Sequence, residues 1–234
     1  MYKGKKILGL IPARGGSKGI PRKNTVNLCG RPLIAYSIEA GRESKYIDYL
    51  MVSTDDELIA SISRKYGAEV PFLRPKELAS DTAKTIDAVL HAIYALRERK
   101  MVFDCVILLQ PTQPLRTTED IDASVELFFE KGCRALVSVS EVDDHPILTR
   151  SIENGQLKPL LDTSSTCRRQ DMPKYYKING CIYINSVDDL GKDTSFNDNC
   201  IPYIMEKSHS VDIDEMDDLN TAERYLQLNK LENS

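Results

Sequence analysis

The chain has 234 residues, of which 41% are hydrophobic and 28% charged, with a net charge of −4 at pH 7. A chain of this length buries a large core without disulfides, and we expect one domain over residues 1–234. No apolar run approaches the ~20 residues of a membrane span, residues 1–16 lack signal-peptide features, and an acidic balance argues against nucleic-acid binding. We therefore expect a cytoplasmic protein that binds neither membrane nor nucleic acid.

Cysteine and histidine spacing predicts no metal site of the zinc type. The six cysteines include no C-x-x-C pair, and the three histidines form no H-E-x-x-H motif. We interpret the cysteines as reduced, mostly core residues.

Short apolar runs alternate with helical patterns over the first 140 residues. The predicted strands are 6–12, 49–54, 68–73, 104–110 and 134–140, and the predicted helices are 32–44, 55–67, 82–100 and 118–132. Asp55 and Thr118 are the expected N-caps, and Gly67 and Gly132 are the expected C-terminal glycines. The alternation predicts an α/β fold with a mostly parallel sheet and right-handed crossovers.

The alternation stops after residue 141. Residues 147–161 predict a hairpin with its turn at Asn154-Gly155, followed by strands at 174–186 and 200–206 and a last helix near 217–230. We interpret residues 142–190 as an inserted segment that carries sugar and subunit contacts.

A glycine-rich basic loop follows the first strand. Residues 13–24, "ARGGSKGIPRKN", contain four cations, namely Arg14, Lys18, Arg22 and Lys23. In an open parallel sheet, ligands bind beyond the carboxyl ends of the strands, and glycines let backbone N–H groups approach an anion. The spacing matches neither the P-loop nor the G-x-G-x-x-G fingerprint. The loop predicts a site for several phosphates.

Two aspartates lie near the end of the chain in "SVDIDEMDD". Asp212 and Asp214 are two residues apart in a predicted strand, so their side chains share one face. Two carboxylates this close favour a bound cation, and oxygen ligands suit Mg²⁺, although a solvated strand end is an equally good interpretation of these residues alone. Asp217 and Asp218 are expected to cap the last helix.

The segment "LIPARGGSKGIPRKN" (10–24) resembles the N-terminal signature of the acylneuraminate cytidylyltransferases, which include the CMP-sialic acid synthetases and their legionaminic and pseudaminic acid relatives. The resemblance continues in residues 52–60, 73–83, 108–121, 168–185 and 211–219. It implies a homodimer with a Rossmann-like nucleotidyltransferase fold and a small dimerisation insertion. It also implies Mg²⁺-dependent coupling of CTP to a nine-carbon α-keto acid sugar, with release of pyrophosphate.

The resemblance also implies roles for individual residues. Catalysis is assigned to Lys23, Arg14 and Asp214, and metal binding to Asp212 and Asp214. The implied nucleotide contacts are Ala13, Arg14, Gly15, Gly16, Ser17, Lys23, Asn24, Arg74, Ala83 and Thr85, and the implied sugar contacts are Gln110, Arg168, Lys177 and Asn179.

Three departures from the family pattern leave the sugar open. Lys177 stands where arginine is usual, Cys181 where alanine is usual, and Gln113 where serine is usual. Arginine can form two parallel hydrogen bonds with a carboxylate, whereas lysine provides a single mobile charge. Arg168 or Arg169 is therefore expected to assist in binding the sugar carboxylate. The resemblance implies that the acceptor is N-acetylneuraminic, legionaminic or pseudaminic acid, without distinguishing among them. The alternatives are a cytidylyltransferase for the eight-carbon sugar Kdo, a catalytically inactive nucleotide-binding protein, and a glycosyltransferase.

Overall fold

The computed structural model describes residues 1–162, 166, 168 and 171–232, with side chains up to residue 228. A six-stranded sheet forms the centre of this part of the chain. Its strands, in spatial order, are β10 (Ile201–Ile204), β6 (Leu136–Glu141), β9 (Tyr176–Ser186), β5 (Cys105–Leu109), β1 (Ile7–Pro12) and β4 (Tyr49–Ser53). The strand pairs are parallel except those of β9, which runs antiparallel to both β5 and β6. The predicted mostly parallel α/β sheet is confirmed.

Five α-helices accompany the sheet in the described residues, and all five were predicted. They are α1 (Leu33–Glu43), α2 (Glu57–Lys65), α3 (Thr85–Glu98), α4 (Thr118–Glu130) and α5 (Met216–Glu232). Gly67 and Gly132 follow α2 and α4 with φ of 94° and 74°, as expected of glycine after a helix.

Both predicted N-caps are wrong by one residue. The cap of α2 is Asp56, whose carboxylate accepts the Ile59 N–H, because Asp55 is engaged with the glycine-rich loop. The cap of α4 is Thr117, which forms a reciprocal capping box with Asp120.

The predicted strand at 68–73 is not formed. The segment makes one bridge, between Glu69 and Met51 of β4, and then leaves the sheet. Pro71 has no N–H to continue a ladder. The chain instead turns so that the Arg74 N–H donates to Thr54 O at 2.7 Å, which brings Arg74 to the carboxyl end of β4.

Two short antiparallel pairs lie outside the main sheet. One joins β2 (Asn27–Leu28) to β3 (Arg31–Pro32), and the other joins β7 (Arg150–Glu153) to β8 (Gln156–Pro159). The second pair is the predicted hairpin, with positive φ at Asn154 and Gly155 as a two-residue turn requires. Among the described helices, none combines the length and the apolar content needed to cross a bilayer.

Side chains from alternate positions of β1 and β5 enter two apolar clusters, one on each face of the sheet. Ile7, Ile11 and Ile107 pack with residues of α1, α2 and α4, while Leu8, Leu10 and Leu108 pack with residues of α3. A third cluster comprises Ile20, Leu28, Leu33, Leu115, Ile213, Leu219 and Ala222. The third cluster joins the glycine-rich loop to the chain just before α5.

Candidate active site

The glycine-rich loop and the aspartate segment are in direct contact. Lys23 Nζ donates to Asp214 Oδ1 and to Ile213 O, each at 2.8 Å. A Cβ on Gly19 would lie 2.3 Å from Asp214 O, so only glycine permits this approach. Burial of Ile20 and Ile213 in one cluster holds the two segments together. The glycine-rich loop and Asp214 therefore line one cleft, whereas Asp212 lines a separate cavity with Lys177.

The aspartate segment is not the strand that its sequence predicted. Its backbone is fixed by the Ile213 N–H, which donates to Thr112 O at 2.9 Å beyond the end of β5. Asp218 accepts the N–H groups of Asp214 and Glu215 at 2.9 and 2.8 Å. This capping confirms the role predicted for Asp218 and orients the turn that presents Asp214.

Asp212 and Asp214 interact electrostatically and have the donor chemistry of a Mg²⁺ site. Burial raises the pKa of the Asp212 carboxyl, a hydrogen bond from Thr112 opposes this effect, and the Asp214 charge adds to it. A buried carboxylate whose charged form is further disfavoured by a second carboxylate is suited to binding a cation. No group of three or more potential metal ligands occurs in the described residues. Mg²⁺ takes one or two carboxylates and completes its shell with water and phosphate oxygens, so two aspartates would suffice to hold it.

A cleft of about 410 Å³ lies between the glycine-rich loop, residues 74–85 and the end of β5. Eight of the ten predicted nucleotide residues line this cleft, namely Arg14, Gly16, Ser17, Lys23, Asn24, Arg74, Ala83 and Thr85. The other two, Ala13 and Gly15, have their N–H groups bonded to Ser53 O and Asp55 Oδ1. They attach the loop to the carboxyl end of β4 and do not line the cleft.

The cleft lining is strongly cationic. In the described chain it contains five cations and two carboxylates, namely Arg14, Lys18, Lys23, Arg74 and Lys84 with Asp81 and Asp214. Arg22 is not in the lining; it has a left-handed backbone and precedes a short 3-10 helix at 23–25. Asp81 and Lys84 were not predicted, because neither follows a glycine motif or a strand end.

Arg74 is a buried cation at the wall of the cleft. Only 6% of the residue is exposed, and its Nε has no hydrogen-bond partner among the described residues. Burial lowers the pKa of the guanidinium; the Asp55 charge opposes this and the Arg14 charge adds to it. A buried charge with an unused donor is suited to receive an anion.

Two further cavities flank the cleft. One of about 400 Å³ shares Lys84, Thr85 and Gln110 with the cleft, and Tyr183 donates there to Asn197 Oδ1 at 3.0 Å. The other, of about 410 Å³, is lined by Asp212 and Lys177 and shares no lining residue with the cleft. We call them the Gln110 cavity and the Lys177 cavity. Tyr183, Phe196 and Asn197 of the Gln110 cavity were missed, since the sequence marks them only as ordinary strand and loop residues.

The four predicted sugar residues do not line one cavity. Gln110 lies between the cleft and the Gln110 cavity, whereas Lys177 and Asn179 line the Lys177 cavity together with Asp212. Arg168 is in neither; it is on the surface and pairs with Asp171 at 2.9 Å. Arg169 lies outside the described residues.

Buried hydrogen bonds tie β9 to the loop after β5. Gln113 Nε2 donates to Asn179 O at 2.6 Å, and Arg116 donates to Cys181 O at 2.9 Å and to Gln110 O at 3.3 Å. Asn179 Oδ1 accepts from Ser138 Oγ and from the Cys181 N–H, next to the irregularity in the pairing of β6 with β9. Gln113 is fully buried, so its effect on either cavity is indirect.

The chain matches the family model described as Cytidylyltransferase over residues 8–232. The chain belongs to the cytidylyltransferase family. It is therefore an enzyme of the nucleotidyltransferase class, as the sequence motifs predicted.

Curated members of this family resemble the chain over almost its full length. It is 39% identical to the CMP-N,N′-diacetyllegionaminic acid synthase of Legionella pneumophila, covering 96% of this chain and 98% of the relative. It is 35% identical to a pseudaminic acid cytidylyltransferase of Campylobacter jejuni (96% and 97%). The N-acylneuraminate cytidylyltransferase of Escherichia coli is 34% identical over 93% of this chain and 51% of the relative.

Solved structures confirm the fold. CMP:2-keto-3-deoxy-manno-octonic acid synthetase complexed with CTP matches with a TM-score of 0.73 at 16% identity, over 96% of this chain and 99% of that one. The 4-diphosphocytidyl-2C-methyl-D-erythritol synthase of Anaerococcus prevotii matches with a TM-score of 0.66 at 15% identity, over 96% and 100%. Both are cytidylyltransferases of the Rossmann-like nucleotidyltransferase fold.

The contact between Gly19 and Asp214 gives a stability prediction. Gly19→Ala should lower the free energy of unfolding by about 1–3 kcal/mol, because the new Cβ meets a backbone oxygen that is fixed by the cap of α5. Gly16→Ala is the matched control, since nothing lies within 4 Å of its Cβ position. Urea unfolding followed by circular dichroism measures both. Equal stability of the two variants would show that the loop and the aspartate segment are not packed as described.

Proposed function

We propose that the protein transfers CMP from CTP to the anomeric hydroxyl of a nine-carbon α-keto acid sugar, with Mg²⁺ as cofactor and pyrophosphate as the second product. The three curated relatives are named for legionaminic, pseudaminic and N-acylneuraminic acids, which supports this substrate class. The observation that carries the proposal is the contact of Lys23 with Asp214 at 2.8 Å inside a cationic cleft.

The cleft is suited to a nucleoside triphosphate. Its cations come from two segments of the described chain: Arg14, Lys18 and Lys23 belong to the glycine-rich loop, and Arg74 and Lys84 belong to residues 74–85. Thr85 begins the 14-residue helix α3, whose N-terminal amides add partial positive charge for an anion. In this proposal Lys23 and Arg14 stabilise the leaving pyrophosphate, and Arg74 and the backbone near Ala83 contact the nucleoside.

Asp212 and Asp214 would hold the Mg²⁺. When bound, the ion supplies charge neutralisation for the phosphate oxygens and the reacting hydroxyl. Lys23 keeps Asp214 directed at the cleft through an ion pair in which only 13% of the lysine side chain is exposed. Thr112 orients Asp212 from the same loop that ends β5.

The acceptor sugar is proposed to enter beside Gln110, which separates the cleft from the Gln110 cavity. That cavity is lined by hydroxyl, amide and lysine side chains next to the Tyr183 and Phe196 rings, a mixture suited to a sugar with polar and acyl groups. Lys177 and Asn179 remain proposed contacts from the Asp212 side, and Arg168 a proposed contact from outside the two cavities. The chain's residues thereby align the hydroxyl with the α-phosphorus for in-line attack, so catalysis is mainly positioning and charge neutralisation.

We further propose that the protein acts in the cytoplasm as a homodimer, with the β7–β8 hairpin in the interface. Ile152 and Leu157 are paired across this hairpin and are 75% and 69% exposed. Leu148 and Leu160 beside them are also exposed, which leaves an apolar surface that a second copy would cover.

Release of pyrophosphate from CTP that depends on an added sugar acid tests the proposed reaction. The chain, CTP and Mg²⁺ should release pyrophosphate when N-acetylneuraminic, legionaminic or pseudaminic acid is added, and the relative kcat/KM identifies the acceptor. Kdo is tested as the alternative acceptor. No pyrophosphate release with any of the three nine-carbon acids would contradict the proposal.

Two substitutions test the catalytic assignments. Lys23→Ala and Asp214→Asn should each lower kcat by about 10²–10³-fold, because each removes a charge that acts on the transition state. Lys131→Ala and Asp188→Asn alter exposed charges outside the cleft and should retain parental turnover. Near-normal kcat in either of the first two variants would refute that residue's role.

The hairpin assignment is tested by sedimentation. Ile152→Asp should convert the dimer to a monomer at micromolar concentration, because it places a charge in an apolar interface. Glu153→Gln, also on the hairpin, should remain dimeric. A monomeric parent protein, or a dimeric Ile152→Asp variant, would remove the hairpin from the interface.

A further inference from the structure

The Asp81 carboxylate forms ion pairs with two of the cations that line the cleft. Arg14 Nη1 lies 2.8 Å from Asp81 Oδ1, and Lys18 Nζ lies 3.5 Å from Asp81 Oδ2. Arg14 also donates to Ser80 O at 3.1 Å. These contacts join the glycine-rich loop to residues 80–81 on the facing wall. Two cations proposed to bind phosphate are thus paired with a carboxylate of the protein.

The exposure of these side chains shows which cations can exchange partners. The side chains of Arg14, Lys18 and Asp81 are 34%, 76% and 53% exposed, so solvent screens their attraction. Lys23 differs, because only 13% of its side chain is exposed and Ile213 O holds it as well. Lys23 is therefore fixed in place, whereas Arg14 and Lys18 can leave Asp81 for a stronger anion.

We infer that Asp81 competes with phosphate for Arg14 and Lys18 and so lowers the affinity of the cleft for phosphate-bearing ligands. This inference rests on the proposed function, since it takes a triphosphate as the incoming ligand. A phosphate group offers more acceptor oxygens and more charge than one carboxylate, so it displaces Asp81. Pyrophosphate has no base or ribose contacts to offset the competition. Asp81 therefore weakens retention of the pyrophosphate product and opposes occupation of the cleft by simple anions.

The competition predicts a gain of affinity on substitution. Asp81→Asn keeps the shape of the side chain, removes its charge, and should bind inorganic pyrophosphate about two- to fivefold more tightly than the parent, the range of an exposed ion pair. The KM of this variant for CTP should likewise be lower than that of the parent. The gain should shrink as salt is raised, because exposed charges are screened.

The experiment is calorimetric titration of the full chain with pyrophosphate and, separately, with CTP, at low and high salt. Asp188→Asn is the matched control, since Asp188 is 92% exposed and pairs with Arg97 outside the cleft. Tighter pyrophosphate binding by Asp81→Asn, with unchanged binding by Asp188→Asn, supports the competition. Unchanged or weaker binding overturns it and makes Asp81 an aligning residue. If the parent binds neither ligand, the proposed function fails and the inference falls with it; if the parent binds both, only the inference is at stake.

Discussion

The site depends on one ion pair that joins residues 191 positions apart. Lys23, on the loop after the first strand, meets Asp214, on the segment before the last helix, at 2.8 Å. The pair alone would be weak, but it is supported by Ile20 and Ile213 in a shared apolar cluster and by the close approach of Gly19 to Asp214 O. Apolar burial thus supplies the stability, and the charges supply the chemistry.

This support divides the cations of the cleft by their mobility. Lys23 and Arg74 are largely buried and keep their positions, whereas Arg14 is half-buried, Lys18 is exposed, and both are paired with Asp81. A fixed charge lowers the reorganisation needed at the transition state, and a mobile one allows ligands to enter and leave. A cytidylyltransferase needs both, since it binds a highly charged substrate and must then release pyrophosphate.

Local rules predicted much of this structure. Apolar runs and helical stripes located all six strands of the main sheet and all five α-helices, and the Asn154-Gly155 turn located the hairpin. The failures are tertiary in origin. Residues 68–73 have the composition of a strand, but Pro71 prevents the pairing from continuing beyond the bridge at Glu69. Residues 212–214 also have the alternation of a strand, but their contact with the end of β5 is the single backbone hydrogen bond from Ile213 to Thr112. The loop cations were identified from their charge, whereas Asp81, Lys84 and Tyr183 reach the site through folding that no local pattern encodes.

The most direct test of the central claim, that the basic loop and the aspartates act on one nucleotide, is a double-mutant cycle on kcat/KM for CTP. The cycle compares Lys23→Ala, Asp214→Asn and the double variant with the parent. If both residues act on the same phosphates, their effects are strongly non-additive, and the double variant is little slower than the slower single variant. Rate losses that multiply independently would contradict the claim, because they would show that Lys23 and Asp214 work at separate sites.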